Sequence, residues 1–260
     1  MEELVTLEEL SPHVYVLKLN RPDAANAFSS ELLNQLQEKA HEINRRQEIR
    51  VVLVTGEGNK AFCAGADLKE RRGMSDEEVV QTVTKIGDTV RMIEDIHVPT
   101  IAVINGVAFG GGLELALACD LRMMSTSTKV GLTETSLAII PGAGGTQRLS
   151  RLIGIGQAKA IIYSAKPVEA KRAYSLGLVE YIHEPQFLME EAKDLAACIA
   201  RNGPVAMKQA KKAINQGYDT DLSSGLEIER ACYEKTIPTD DRVEGLQAFK
   251  EKRKPEYKGE

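Results

Sequence analysis

Apolar positions in this chain fall into two rhythms. Short runs at Val14–Leu19, Val51–Thr55, Thr100–Ile104 and Leu178–Ile182 read as strands, while Glu31–Arg46 and Ser75–Ile96 carry helical spacing between them. Strands separated by helices predict parallel pairing through crossover connections, and so an α/β core. Between Asp120 and Leu137 the segments Leu121–Met124 and Lys129–Leu132 are too brief for another crossover helix. Gly142-Ala143-Gly144-Gly145 breaks the chain, with Thr146 as the expected cap of the helix that follows. From Phe187 the pattern is helical throughout: Phe187–Ala200, Val205–Gln216, Leu222–Lys235 and Arg242–Lys252, with breaks at Asn202-Gly203-Pro204 and Ile237-Pro238-Thr239. These helices are expected to pack on the core or on a neighbouring subunit. The division predicted is a core at residues 1–200 and a C-terminal helical region at 201–260.

The stretch Phe109-Gly110-Gly111-Gly112-Leu113-Glu114-Leu115-Ala116-Leu117-Ala118-Cys119-Asp120 carries the strongest chemical signal. Glycines let another group come close to the backbone. The first N–H groups of a helix lack intrahelical partners and sit at its positive end. A glycine-opened helix therefore suits a developing oxyanion, with the Glu114 carboxylate one turn along. A second small-residue segment, Ala61-Phe62-Cys63-Ala64-Gly65-Ala66-Asp67-Leu68-Lys69, follows the run at 51–55. Two N–H groups from two loops are what a thioester oxygen needs as its carbon chain gains enolate character. Taken singly, each segment also reads as packing glycine, Glu114 as a solvent-facing residue, and Glu134 as a cap for the next turn.

Composition narrows the class. A 260-residue chain with 43% hydrophobic and 27% charged residues is ordinary for a globular protein. A net charge of −5 argues against broad attraction to nucleic acid or anionic lipid. Cys63, Cys119, Cys198 and Cys232 match no zinc spacing and read as reduced thiols; His13, His41, His97 and His183 show no metal pattern, so no metal is expected. No secretory or transit signal and no run long enough to span a bilayer is evident, so a cytoplasmic protein is expected.

Three ordered motifs carry a resemblance: Cys63-Ala64-Gly65-Ala66-Asp67-Leu68-Lys69, Gly110-Gly111-Gly112-Leu113-Glu114-Leu115-Ala116, and Ile140-Pro141-Gly142-Ala143-Gly144-Gly145-Thr146-Gln147-Arg148. Together the chain resembles the enoyl-CoA hydratase (crotonase) family, from Asn20-Arg21-Pro22 to Phe249-Lys250-Glu251-Lys252-Arg253. The resemblance implies a spiral of ββα units with a C-terminal helical region that builds trimers, often paired into hexamers. It implies an oxyanion hole at the N–H groups of Ala66 and Gly111. Contacts to the acyl-CoA thioester are implied at Ala24, Ala25, Ala64, Asp67, Leu68, Gly110, Thr133 and Gly142, and at Phe249 and Lys252 in some members from an adjacent subunit. No cofactor is implied, because coenzyme A is part of the substrate.

Glu114 and Glu134 decide the chemistry, since fold alone does not. Hydratases resemble this chain in having both acids, whereas a double-bond isomerase commonly works with one. Two carboxylates flanking a water can orient it, take a proton and return one, and their ionisations are pushed apart. By resemblance, Glu114 would activate water and Glu134 would protonate C2 of a 2-enoyl-CoA. Several runs, among them Ala66-Asp67-Leu68-Lys69-Glu70-Arg71 and Tyr257-Lys258-Gly259-Glu260, are similar to the methylglutaconyl-CoA hydratase branch. That makes 3-methylglutaconyl-CoA an alternative substrate, whose extra carboxylate would favour a cation among Lys69, Arg71 and Arg72. An RNA-binding homologue is the alternative from another class. The lysine-rich helix that such binding uses in this branch is missing, since Glu31–Glu42 holds one lysine among several acids. Nucleic acid and membrane partners are not expected.

Overall fold

The computed structural model describes residues 2–260. An antiparallel pair, β1 (Val5–Ser11) and β2 (Val14–Leu19), leads into α1 (Ser30–Arg45). Three ββα turns follow. The first contains β3 (Val51–Gly56), β4 (Ala61–Cys63), the single turn α2 (Leu68–Arg71) and α3 (Asp76–Glu94). The second contains β5 (Thr100–Ile104), β6 (Val107–Phe109) and α4 (Gly111–Ala118). The third contains β7 (Leu121–Ser125), β8 (Lys129–Gly131), α5 (Gly145–Ile153) and α6 (Ile155–Ser164). Then come β9 (Val168–Glu169), α7 (Ala170–Ser175), β10 (Tyr181–His183) and the helices α8 (Leu188–Ala200), α9 (Pro204–Tyr218), α10 (Leu222–Glu234) and α11 (Asp240–Glu251).

Each turn gives one strand to a six-stranded sheet, ordered β1-β2-β3-β5-β7-β10, and one to a four-stranded sheet, ordered β4-β6-β8-β9. All pairs are parallel except β1–β2 and β8–β9. This is the spiral of ββα units. The large sheet is buried on both faces, which explains apolar runs without alternation. Val51, Leu53, Ile101 and Val103 pack against Leu188, Ala192 and Ala196 of α8, while Val52, Val54, Ala102 and Ile104 join the main core. α1 closes that core with Leu32, Leu33, Leu36 and Ile43, each worth about 1.5–3 kcal/mol in burial. Ser29 Oγ caps α1 by accepting from Leu32 N, and Ser75 with Glu78 forms a capping box at the start of α3.

Two local expectations are corrected. Leu178 and Val179 are buried but lie before the last strand, which runs Tyr181–His183. The buried Arg122 guanidinium explains this: its Nε takes the Leu178 carbonyl at 3.0 Å, so that group is spent outside the sheet. Thr146 does not cap α5, which begins one residue earlier behind Gly144 and has no side-chain cap of its own. A carboxylate from α4 serves that helix end instead.

The C-terminal helices are sparsely buried in a single chain. No residue of α9 is buried, and Ile214, Tyr218, Leu222, Leu226, Val243 and Leu246 stand exposed. The charged tail is pinned rather than loose: Asp241 accepts from Lys258 N at 2.7 Å and Gly259 N at 2.9 Å, and Arg50 Nη2 donates to Tyr257 O at 2.8 Å. On α1 the lone lysine, Lys39, pairs with Glu42 at 3.2 Å. Among the described residues no helix is long and apolar enough to cross a membrane.

What positions the site is the contact between α4 and β4. A Cβ on Gly112 would sit 2.0 Å from the Cys63 carbonyl oxygen, an impossible overlap. Alanine in a helix interior ordinarily gains about 1 kcal/mol over glycine. Here Gly112→Ala should instead cost about 3 kcal/mol, through overpacking, in urea unfolding. A variant as stable as the parent would contradict this close approach.

Candidate active site

α4 opens under Gly110, whose φ of 52° and ψ of −124° suit only glycine. Gly110 N donates to Gly131 O at 2.9 Å and ties the helix start to β8. Gly111 N, the first amide of the helix, has no acceptor among the described residues. Opposite it runs the loop after β4. Phe28 N donates to Gly65 O at 2.8 Å, and Asp67 N donates to Phe28 O at 3.1 Å. These bonds use the groups on either side of Ala66 and leave Ala66 N without a protein acceptor among the described residues. The two loops touch at their glycines: a Cβ on Gly65 would fall 3.1 Å from Gly111 N and 2.8 Å from Phe109 O. Gly65 also has φ of 89°, so both its backbone and its missing side chain are needed.

The turn carrying Ala24 and Ala25 is joined to this loop, because Ala64 N donates to Ala25 O at 3.0 Å. Ala25 and Asn26 both adopt left-handed backbone, at φ 52° and 53°. Fully buried Asn26 holds that shape. Its Oδ1 accepts from Arg21 N at 2.9 Å, while Nδ2 donates to Ala61 O at 2.8 Å and Glu57 O at 3.1 Å. Asp67 caps α2 through Lys69 N and pairs with Arg21 at 2.6 Å. Against its own burial, those partners hold the Asp67 carboxyl below the usual range. Asn26 is not singled out in the sequence, where an amide inside a run of small apolar residues is the available signal, and Arg21 enters there only as part of Asn20-Arg21-Pro22.

Glu114 is 2% exposed, and its Oε1 accepts from Ala143 N at 2.8 Å and Gly145 N at 2.7 Å. Gly145 N is the first amide of α5, so an anion meets a second positive helix end. A Cβ on Gly145 would stand 2.9 Å from Oε1, so glycine is required for this grip. Burial raises Glu114 above the ordinary carboxylate range, opposed by the two amides and the Arg148 charge. No donor among the described residues reaches its Oε2.

Glu134 begins the turn after β8, behind Thr133. Its side chain lies over Gly110, where a Cβ would come within 3.2 Å of Oε1. Oε2 is buried with no partner among the described residues. Burial, with the Glu114 charge added, pushes Glu134 up to about 7, despite an opposing bond from its own backbone N–H. One acid is thus gripped by two amides at a helix start, and the other has only its own backbone N–H.

Gly142 packs against α3, where a Cβ would meet Val83 Cγ1 at 2.7 Å, and Leu68 is 60% exposed at the start of α2. The structure shows no hydrogen bond from Phe249 or Lys252 to the site loops among the described residues. Phe249 is 87% exposed on α11, and Lys252 ends that helix at φ 57°. Asp120 serves the turn after α4, its Oδ2 accepting from Thr100 N at 2.7 Å and pairing with Lys211 at 2.8 Å. Cys63 and Cys119 are sealed thiols, which burial pushes up to about 12. Among the described residues no three His, Cys, Asp or Glu side chains gather as a metal site.

Known proteins share this arrangement of elements. The family model described as "Enoyl-CoA hydratase/isomerase" matches residues 9–260. YngF of Bacillus subtilis (strain 168), named as an enoyl-CoA hydratase/isomerase, is 56% identical over 247 residues, covering 95% of each chain. Human mitochondrial methylglutaconyl-CoA hydratase is 49% identical over 98% of this chain and 76% of its own length. The crystal structure of an enoyl-CoA hydratase from Bacillus anthracis superimposes with a TM-score of 0.98 at 52% identity, covering 99% of this chain and 100% of that one.

The raised ionisation of Glu134 has a consequence for stability. Above the ordinary value of about 4.3 the unfolded chain has released this proton. The folded chain keeps it up to about 7, so stability falls as pH rises through that window and levels off above it. Glu134→Gln removes the effect. Between pH 5 and pH 8 the variant should gain about 2 kcal/mol on the parent in urea unfolding, and a constant gap would contradict the raised value.

Proposed function

The chain belongs to the enoyl-CoA hydratase/isomerase family, and from that premise we propose that it adds water across the 2,3 double bond of a 2-enoyl-CoA thioester, giving a 3-hydroxyacyl-CoA. The observation that carries this reading is the unequal treatment of two adjacent carboxylates beside two free amides.

In this reading the thioester oxygen accepts from Ala66 N and Gly111 N. Such a donor is typically worth about 3 kcal/mol in the transition state. Ionised Glu114, fixed through Oε1, accepts a water proton on Oε2 as the water oxygen bonds to C3. The π electrons move toward C2 and the carbonyl, and Glu134 delivers its proton to C2. Water has then been added, and a proton passing from Glu114 to Glu134 resets the pair. Every proton has a carrier and no electron acceptor is needed, so the reading calls for no cofactor beyond the coenzyme A of the substrate. An isomerase moves one proton between two carbons and needs only one acid, so the paired acids favour hydration.

Ala24, Ala25, Ala64, Asp67, Leu68, Gly110, Thr133 and Gly142 border the acyl-CoA path in this proposal. Phe249 and Lys252 complete it from a neighbouring copy in a homotrimer or a hexamer built from two trimers. The exposed apolar residues of α9, α10 and α11 support such an assembly. 3-Methylglutaconyl-CoA is the second reading, favoured by half-buried Arg71, whose Nε is buried without a partner among the described residues. If this guanidinium reads the extra carboxylate, Arg71→Ala should lower turnover of 3-methylglutaconyl-CoA at least tenfold more than that of crotonyl-CoA. Equal loss on both substrates would end that reading.

The hydration itself is followed by the loss of conjugated-thioester absorbance. Glu114→Gln and Glu134→Gln should each lower kcat by about 10²–10⁴-fold, with affinity for the CoA ester retained. An unchanged rate in either variant would remove that residue from the mechanism.

A further inference from the structure

Arg148 and Glu94 have no role in the chemistry described above. Arg148 lies one turn into α5, the helix whose first amide grips Glu114. Its Nη1 donates to Ala143 O at 2.8 Å. Its Nε and Nη2 form a bidentate pair with Glu94 at the end of α3, at 2.8 and 2.5 Å. Ala143 is therefore held from both ends: its N–H donates to Glu114, and its carbonyl accepts from Arg148. Gly144, with φ of 97°, makes room for this grip, since a Cβ there would lie 2.1 Å from Nη1. The Arg148 side chain is 18% exposed and the Glu94 side chain 37%, so the guanidinium is the more shielded half of a charge-assisted pair.

We infer that Arg148, clamped by Glu94, is the positioning residue for Glu114, fixing the Ala143–Gly145 turn that aims the carboxylate. An arginine fork spans Glu94 and the Ala143 carbonyl together, which a lysine point charge cannot do. Charge and geometry are thereby separable by mutation. Glu114 is faced by Glu134 from the turn after β8 and by Arg148 from α5, while Glu94 and Asp95 face Arg148 in turn. Removing the guanidinium leaves Glu114 with one less nearby cation and a looser pair of amides.

The inference rests on the hydration reading for its kinetic readout. Crotonyl-CoA hydration would be measured for the parent, Arg148→Gln, Arg148→Lys and Glu94→Gln, with butyryl-CoA binding measured by calorimetry. Arg148→Gln and Glu94→Gln should lower kcat at least tenfold, with the butyryl-CoA Kd changed less than twofold. The acid limb of the kcat profile should move to higher pH in Arg148→Gln, and Arg148→Lys should restore the limb but not the full kcat. Placed on Glu114→Gln, the Arg148→Gln change should have little further effect. A kcat within twofold of the parent, an unmoved limb, or an undiminished effect on Glu114→Gln would overturn the inference. Infrared titration of the carboxylate band lost in Glu114→Gln reads it without turnover. If the parent shows no hydration, the function reading fails, while a higher titration midpoint in Arg148→Gln still supports the clamp and an unmoved one overturns it.

Discussion

A helix lying on a strand with no side chain between them is the constraint from which the site follows. α4 meets β4 at Gly112, against the Cys63 carbonyl, at a separation that even a methyl group would prevent. That contact brings the first turn of α4 beside the loop after β4, so that Gly111 N and Ala66 N come from remote segments to one groove. It also drives Glu114 inward, where an ionised carboxylate survives only with partners. The start of α5 supplies them, and glycine is again what allows backbone to close on charge. Two helix N-termini thus meet at one site, one with its amide free among the described residues and the other with its amide occupied.

The electrostatic division between the acids comes from the same geometry. Both are desolvated, and desolvation alone would leave both neutral. Glu114 has two amides and the Arg148 charge to offset that cost; Glu134 has a buried oxygen with no partner among the described residues. Their proximity widens the gap, because ionising one opposes ionising the other. One acid is supported by amides and a guanidinium while its neighbour keeps its proton to near neutral pH, and the proposed water addition draws on that difference. The stability expected to be lost in keeping Glu134 desolvated is the usual trade between an active site and its scaffold.

Part of this is legible in sequence, because glycines ahead of a short apolar helix fit an open helix start, although each glycine segment taken singly also reads as packing. The Gly110–Gly112 run reads as a helix whose start is open, and strands separated by helices read as a parallel sheet with crossover connections. What was missed depends on distant partners. Thr146 has the right chemistry for a cap, yet the cap is Glu114, thirty-one positions from the Gly145 amide that it accepts. Leu178 reads as a strand residue until the buried Arg122 claims its carbonyl. Asn26 is an unremarkable letter whose three hydrogen bonds hold two left-handed residues in place. Phe249 and Lys252 make no hydrogen bond to the site loops among the described residues, and their proposed use needs a second copy.

The pair of amides at Ala66 and Gly111 is tested most directly by the vibration of the bond they would grip. A 2-enoyl-CoA carrying ¹³C at its thioester carbonyl, bound to the slow Glu114→Gln variant, isolates that stretch by infrared difference spectroscopy. Strong donation from both amides moves the band to lower frequency than in water. A band at the aqueous position, or above it, would contradict an oxyanion hole at these two residues.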